Sequence, residues 1–318
     1  MVPPAHLEPS KLGTKEYWDA LYSTEIANHA HDPSDTGTAW FDDSDAEAKL
    51  LEFLEDPERA GELGLDTAST SFLDLGTGNG ALLFALRDAD WEGPMLGVDY
   101  SAQSVRFARR IERMRRKGGG GNENDVEDGR EEGEADKDQD GDEEEEEEEE
   151  GEVDVHFAEH DILHDPPTAL LDARFSPSVV DGWDVVLDKG TFDAISLSAE
   201  TLDDNAAAAA ADGPRRRINE AYGSRVLPLV REGGLFLITS CNWTEAELRG
   251  WFEEGSAQEV PVPAATSTST ESQEQQQQRQ TFWGFEAVGR VEYRSFSFGG
   301  VKGQTISSLC FRKVQKRR

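Results

Sequence analysis

Short apolar runs, each of the length of a buried strand, occur along the chain. Between them lie stretches in which apolar residues recur every three or four positions, as in a helix. Strands are predicted at residues 72–75, 95–98, 153–158, 183–187 and 235–239. Helices are predicted between them, at about 81–88 and 102–117 and around Ile218, Tyr222, Val226 and Leu229. This alternation predicts an α/β fold, in which helices cover both faces of an open, mostly parallel sheet.

The last third of the chain breaks the alternation. Residues 285–296 and 305–314 are predicted to pair through the glycine-rich turn at 299–303. Pro228 is expected to kink the helix around it, and Gly233-Gly234 is expected to end that helix. The prediction is therefore a doubly wound sheet of seven strands that ends in an antiparallel hairpin.

A glycine turn follows the first predicted strand. Gly76, Gly78 and Gly80 permit positive φ and let a ligand approach the bare backbone. The spacing also fits a dinucleotide-binding turn, so the glycines alone do not identify the ligand. Asp74 decides between the two, because its carboxylate can bind the ammonium of a methionine moiety but would repel a pyrophosphate. The sequence therefore favours S-adenosylmethionine.

Two further acids end predicted strands. Asp99 lies 19 residues beyond Gly80, close to the separation expected for a carboxylate that binds ribose hydroxyls. Asp161 follows the third strand and could bind the adenine amino group, with Ile162 packed on the ring. A loop aspartate without contact to the cofactor is an equally good reading of Asp161.

The charge is unevenly distributed. Of the net charge of −35, segment 118–152 carries −18, with 20 acidic residues against Arg130 and Lys137. We expect this segment to be a disordered insert between a helix and a strand of a single domain, and segments 203–213 and 256–280 to be low-complexity loops. So acidic a chain disfavours nucleic acid as a partner.

Other composition features bound the function. The two cysteines are too few for a disulfide framework or a zinc cluster, and the six histidines show no metal-ligand spacing with them. No metal is expected. No apolar run of membrane length or signal peptide is seen, so the cytoplasm is the expected location. The protein is also expected to be a monomer.

Several motifs together resemble one enzyme family. The segments 73–80, 97–101, 188–197, 238–244 and 296–300 look like those of the lysine methyltransferases that modify translation elongation factor 1-alpha. The opening segment 12–19 with Tyr22, and the pair Trp40-Phe41, are similar as well. The resemblance implies methyl transfer from S-adenosylmethionine to a lysine of that factor. It also places Tyr100, in segment 97–101, and Trp40 among the cofactor-binding positions.

The resemblance further implies an acceptor site beside the fourth strand. Asp188 is predicted to accept a proton there, and Phe192 and Trp243 to wall a slot for the lysine. Each has an alternative, since Asp188 could cap a turn and the two aromatic residues could belong to the core. The helix that carries Trp18 and Tyr22 could close over the cofactor or merely pack on the sheet.

Two other functions stay open on the sequence. The glycine turn says nothing about the acceptor, so another protein or a small molecule could be the substrate. A scaffold that binds the cofactor without catalysis, and whose acidic segment recruits basic partners, is the non-enzymatic alternative.

Overall fold

The computed structural model describes residues 4–119, 155–202, 216–254, 258–259, 281–294, 296–298, 301–303 and 305–317. The predicted insert 118–152 and the loops 203–213 and 256–280 therefore lie outside the described residues, apart from residues 118–119 and 258–259. No helix in the described part of the chain has both the length and the apolar character needed to cross a membrane.

The helices and strands follow the predicted alternation. The helices are α1 Lys15–His31, α2 Ala46–Glu55, α3 Pro57–Leu63, α4 Ala81–Asp88, α5 Ala102–Gly119, α6 Thr191–Ser196, α7 Tyr222–Val226 and α8 Glu245–Arg249. The strands are β1 Phe72–Leu75, β2 Met95–Asp99, β3 His156–Glu159, β4 Trp183–Lys189, β5 Val230–Ser240, β6 Gln258–Glu259, β7 Thr281–Val291, β8 Phe296–Phe298, β9 Val301–Gly303 and β10 Ser307–Arg317.

One sheet organises the molecule, with its strands in the order β3-β2-β1-β4-β5-β10-β7-β6. The first five strands of that order are parallel. β10 runs antiparallel to both β5 and β7. The predicted mostly parallel sheet of seven strands with an antiparallel end is confirmed, and the two residues of β6 add a short edge to it.

Both faces of the sheet are covered, because successive residues of a strand point to opposite faces. Phe72 and its neighbour Val185 pack on one side with α2, α4 and α5. Leu73 and its neighbour Val186 pack on the other side with α6, α7 and α8. All four side chains are fully buried. The fold is therefore doubly wound, as predicted.

Two details of the prediction were wrong. The expected helix around Pro228 is divided into a 3₁₀ turn at Ile218–Ala221, the short α7 and a second 3₁₀ turn at Leu227–Leu229. Proline lacks the N–H that a continuous helix needs, so the helix ends there instead of kinking. Gly233 and Gly234 do not end it but lie inside β5, where the register to β4 shifts.

The C-terminal hairpin also differs in detail from the prediction. β7 and β10 pair as expected, but the glycine-rich segment between them forms a separate ribbon of β8 and β9. The sequence analysis also missed α2, whose buried residues Ala46, Leu50, Phe53 and Leu54 show the helical spacing that could have revealed it.

A crevice forms where the strand order reverses. The chain proceeds from β1 outward through β2 to β3 and then returns to β4 on the other side of β1. The loops after β1 and β4 therefore diverge at the carboxyl edge of the sheet. Open α/β sheets bind their ligands at this position.

We expect Gly76→Ala to lower the free energy of unfolding by about 1–2 kcal/mol, the usual cost of a side chain in the left-handed region. Gly76 has φ 69°, and an added Cβ would lie 2.1 Å from Thr191 Oγ1. Urea unfolding of the two proteins measures the difference. Gly61→Ala is the matched control: it lies in α3 with open space around it, so we expect a gain of about 0.5–1 kcal/mol. Equal effects of both changes would disprove strain at the turn.

Candidate functional site

A cavity of about 280 Å³ opens at the carboxyl ends of β1, β2 and β4. Eight of the nine residues predicted to bind the cofactor line it: Trp40, Asp74, Gly76, Gly78, Asp99, Tyr100, Asp161 and Ile162. The ninth, Gly80, lies outside the wall at the start of α4 with φ 82°. A Cβ on Gly80 would lie 2.7 Å from the ring of Phe157, so this glycine permits packing behind the turn.

The glycine turn is fastened to the neighbouring strand β2. The amides of Gly76 and Thr77 donate to the carbonyl oxygen of Val98 at 2.7 and 2.9 Å. The amide of Gly78 donates to Oδ2 of Asp99 at 3.1 Å. All three glycines of the turn have positive φ, as predicted. The turn and the second acid therefore form one hydrogen-bonded unit.

Asp99 has part of its hydrogen-bonding capacity unused. Its Oδ1 accepts a hydrogen bond from the amide of Ser101 at 2.9 Å, in addition to the bond from Gly78. Burial raises the pKa of Asp99, and these amide bonds oppose the rise. An ionised carboxylate has about four acceptor sites, so Asp99 can still accept from two hydroxyl groups in the cavity.

Asp74 is the most buried acid of the cavity wall, with 3% of its surface exposed. Burial raises its pKa to about 7, and the nearby ammonium of Lys189 opposes this rise. No salt bridge reaches its carboxylate within the described residues. A buried acid without a charged partner is costly to ionise, so a cationic ligand would be bound strongly there.

Helix α1 both packs on the fold and covers the cavity. Its Trp18 and Tyr22 line the wall, and the Tyr22 hydroxyl lies 2.5 Å from the place of a Cβ on Gly78. The Trp18 ring lies 5.3 Å from that of Trp40. Asp19 of the same helix accepts a 2.6 Å hydrogen bond from Ser101 Oγ. The helix therefore packs on the fold and contributes to the cavity wall, and its closing over a bound cofactor stays a prediction.

Asp188 lies behind the cavity wall and is 1% exposed. Its carboxylate accepts hydrogen bonds from the amides of Thr191 at 2.8 Å and Phe192 at 3.0 Å. The Tyr222 hydroxyl donates to it at 2.6 Å. Burial raises the pKa of Asp188 to about 7. The described contacts are those of a group that caps the first turn of α6.

The structure corrects the placement of the two aromatic residues that were predicted to wall a lysine slot. Phe192 is 1% exposed and stacks on Tyr222, with ring centroids 5.4 Å apart. Trp243 is 3% exposed and donates its indole N–H to Ser196 Oγ at 3.2 Å. Both side chains complete the core on that face of the sheet, where their ring centroids lie 6.1 Å apart.

Neighbours of these residues line the cavity instead. Lys189, Asp193, Cys241 and Asn242 belong to the same two motif segments, and all four lie in the wall with Phe41. The sequence analysis assigned the site to Asp188, Phe192 and Trp243 and so missed them. Their position in the motif segments 188–197 and 238–244 was the feature of the sequence that could have revealed them.

Asp193 joins the two segments that form this side of the cavity. Its carboxylate accepts hydrogen bonds from Ser240 Oγ at 2.5 Å and from the amide of Cys241 at 2.8 Å. These bonds fix the loop after β5 to α6. Burial raises the pKa of the Cys241 thiol to about 12, so this cysteine is protonated at neutral pH and is a poor nucleophile.

A histidine bridges Asp161 and Glu200, two acids of the cavity wall. His164 lies within 2.9 Å of Asp161 Oδ2 through Nδ1 and within 2.9 Å of Glu200 Oε1 through Nε2. The bond to Asp161 raises the pKa of His164. Asp161 also accepts from the amide of Leu163 at 2.9 Å. Asp161 thus stabilises the turn that follows it and is also part of the cavity wall. Among the described residues, no group of three or more His, Cys, Asp or Glu is placed to hold a metal ion.

Comparison with known proteins agrees with this geometry. A family model described as a methyltransferase domain matches residues 66–124, which include the glycine turn and Asp99. Protein-lysine N-methyltransferase EFM4 of Saccharomyces cerevisiae is 32% identical over 309 residues, which cover 97% of this chain and 97% of that protein. Its namesake in Schizosaccharomyces pombe is 35% identical over 267 residues, 80% of this chain and 88% of that protein. The chain belongs to the EFM4 family of protein-lysine N-methyltransferases.

Vertebrate proteins are similar to this chain as well. EEF1A lysine methyltransferase 2 of Danio rerio is 27% identical to this chain over 306 residues, 96% of this chain and 89% of that protein. The predicted resemblance is thus confirmed. The enzyme uses S-adenosyl-L-methionine as its methyl donor, as predicted.

The residues of the cavity fit this cofactor chemically. The donor carries an ammonium, which the buried Asp74 complements, and ribose hydroxyls, for which Asp99 has acceptor sites free. The glycines of the turn leave the backbone uncovered beside these acids. A dinucleotide would instead bring a pyrophosphate against Asp74.

We expect Asp74→Asn to abolish binding of S-adenosylhomocysteine while raising the stability of the unliganded protein at pH 8 by at least about 1 kcal/mol. The folded-state pKa of Asp74 is about 7, above its value of about 4 in an unfolded chain. Its ionisation therefore removes stability as the pH rises from about 4 to 7, and asparagine escapes that loss.

Calorimetric titration and thermal unfolding at pH 5 and pH 8 test both parts. The stabilising effect should be small at the lower pH and should reach its full size at the higher one. Asp181→Asn, at an exposed turn, is the control and should change neither quantity. Retained affinity, or a lower melting temperature at pH 8, would refute the role of the buried acid.

Proposed function

We propose that this enzyme methylates a lysine side chain of translation elongation factor 1-alpha. The support is the extent of the similarity to EEF1A lysine methyltransferase 2 of Danio rerio, Mus musculus and Homo sapiens, at 27–29% identity over 96% of this chain. The match covers the segments after β4 and β5 as well as the glycine turn. A match limited to the cofactor-binding segments would give no information about which substrate is methylated.

Within this proposal, the cofactor lies across the carboxyl edge of β1 and β2. Asp74 accepts the ammonium of its methionine moiety, and Asp99 accepts its ribose hydroxyls. Asp161 accepts from the adenine amino group, while Tyr100 and Ile162 pack beside the base. The observation that supports these roles is that all five residues line one continuous cavity.

Trp40 and Phe41 provide the aromatic side at which the acceptor lysine meets the donor. S-adenosyl-L-methionine supplies an activated methyl group, so the protein has to align the amine and present it uncharged. A lysine ammonium has a pKa of about 10.4 in water. Apolar walls lower that pKa, and aromatic faces hold the ammonium before it loses its proton.

Asp188 is a positioning residue in this scheme. It holds the first turn of α6 through the amides of Thr191 and Phe192. That turn carries Asp193, which in turn fixes the loop of Cys241 and Asn242 at the acceptor side. Phe192 and Trp243 contribute through the packing of these segments rather than by contact with the lysine.

We expect the purified enzyme to transfer a radiolabelled methyl group to one lysine of folded elongation factor 1-alpha. Gel autoradiography of a cell extract and peptide mass spectrometry of the purified factor would locate the label. Asp74→Asn provides the control without cofactor binding. Labelling of other proteins, or of small molecules, would replace this substrate with another. Cofactor binding without any transfer would favour the non-catalytic scaffold.

We further propose that the enzyme acts as a monomer in the cytoplasm and on protein rather than nucleic acid. The net charge of −35 supports the last point, because it repels phosphate groups. Both cysteines are free in the structure, which suits a reducing compartment. Light scattering should give a mass near 35.1 kDa in solution.

Deleting segment 118–152 is expected to leave turnover on a short lysine peptide unchanged, since the described wall of the cavity contains none of its residues. Steady-state kinetics of the deletion variant measure this. A shortened variant of segment 256–280 is the matched control for the loss of a low-complexity segment. A large fall in turnover for the first variant alone would show that the acidic segment takes part in catalysis.

A further inference from the structure

The charges on the cavity wall are strongly unbalanced. Six of its residues are acids: Glu47, Asp74, Asp99, Asp161, Asp193 and Glu200. Within the described residues, Lys189 is the one lysine or arginine in that wall. The acids suit the ammonium and the sulfonium of the donor. The carboxylate of the donor's methionine moiety, however, needs a positive partner or N–H donors, and a cation binds it most strongly.

Lys189 has hydrogen-bonding capacity to spare. Its ammonium donates one hydrogen bond, to the carbonyl oxygen of Trp40 at 3.3 Å. Among the described residues, no carboxylate lies within 4.0 Å of it. Because an ammonium has three N–H donors, two remain for a ligand. A half-buried cation with unused donors in a ligand cavity points to an anionic group.

Lys189 also lies in the corner of the cavity that holds Asp74. It is the last residue of β4, the strand next to β1. Its charge lowers the pKa of both Asp74 and Glu47 against the effect of burial. Since no salt bridge joins these groups directly, a positive and a negative side chain are available side by side.

We propose that Lys189 binds the carboxylate of the methionine moiety of S-adenosyl-L-methionine, while Asp74 binds the adjacent ammonium. An α-amino acid carries these two charges on neighbouring atoms, so it matches one cation and one acid in the same corner. Gly190 follows Lys189 with φ 93°, and a Cβ on it would lie 2.8 Å from the ring of Phe41, so a larger residue does not fit beside this lysine. The inference rests on the cofactor and not on the identity of the protein substrate.

Calorimetric titration with three stable ligands tests the contact without turnover. S-adenosylhomocysteine has the complete amino-acid group, S-adenosyl-3-thiopropylamine lacks its carboxylate, and 5′-methylthioadenosine lacks the carboxylate and the ammonium. The proteins compared are the wild type, Lys189→Met and Lys49→Met. Lys49 pairs with Glu52 on the surface of α2 and provides the matched loss of a lysine.

Lys189→Met is expected to weaken S-adenosylhomocysteine binding about tenfold or more and to change the other two affinities less than about twofold. The wild type should prefer S-adenosylhomocysteine to the amine by a similar factor, and Lys49→Met should match the wild type. Equal losses for S-adenosylhomocysteine and the amine would show that Lys189 acts through Asp74 and would overturn the proposal. No loss at all would also overturn it.

Loss of 5′-methylthioadenosine binding in Lys189→Met would indicate that the variant is misfolded. The affinities of the wild type for S-adenosylhomocysteine and for the amine then test the proposal. Equal affinities of the wild type for S-adenosylhomocysteine and the amine would overturn the proposal in that case. Failure of the elongation factor as a substrate would leave all these titrations unchanged, so the two proposals can fail independently.

Discussion

The site depends on one buried carboxylate, that of Asp74 at the end of β1. Burial without a salt bridge raises its pKa to about 7, so the unliganded fold carries an acid that is costly to ionise. The sheet tolerates this because β1 lies between β2 and β4, with Phe72 and Leu73 buried on its two faces. Some of the stability that the core supplies is thus lost at this acid, where we propose that the ammonium of the cofactor binds.

Buried acids elsewhere in the site act as a framework for the polypeptide. Asp99 holds the amide of Gly78, Asp188 holds the start of α6, and Asp193 holds the loop after β5. Each carboxylate accepts backbone N–H groups that would otherwise lack partners at the ends of strands and helices. These carboxylates therefore hold the glycine turn, the start of α6 and the loop after β5, and Tyr222 supports Asp188 from behind.

Features set by neighbouring residues could be predicted from the sequence. The glycine turn, Asp74 before it and Asp99 after the next strand are local patterns, and their chemistry follows from residue type and spacing. The roles of Phe192 and Trp243 could not be predicted in this way. An aromatic side chain suits a ligand wall and a core equally well, and the packing of the segment after β5 against α6 placed both in the core.

By itself the sequence determined the alternation of the five parallel strands with helices, the antiparallel end of the sheet and the acids beside the glycine turn. The tertiary structure alone decided which side chain of each motif reaches the cavity. Asp188 and Lys189 are adjacent, yet one is buried behind the wall and the other lies in it. Their partners Tyr222 and Trp40 lie 34 and 149 residues away. Neighbouring side chains of a strand point to opposite faces of the sheet. Packing against residues far away in the sequence determines which of the two faces the cavity.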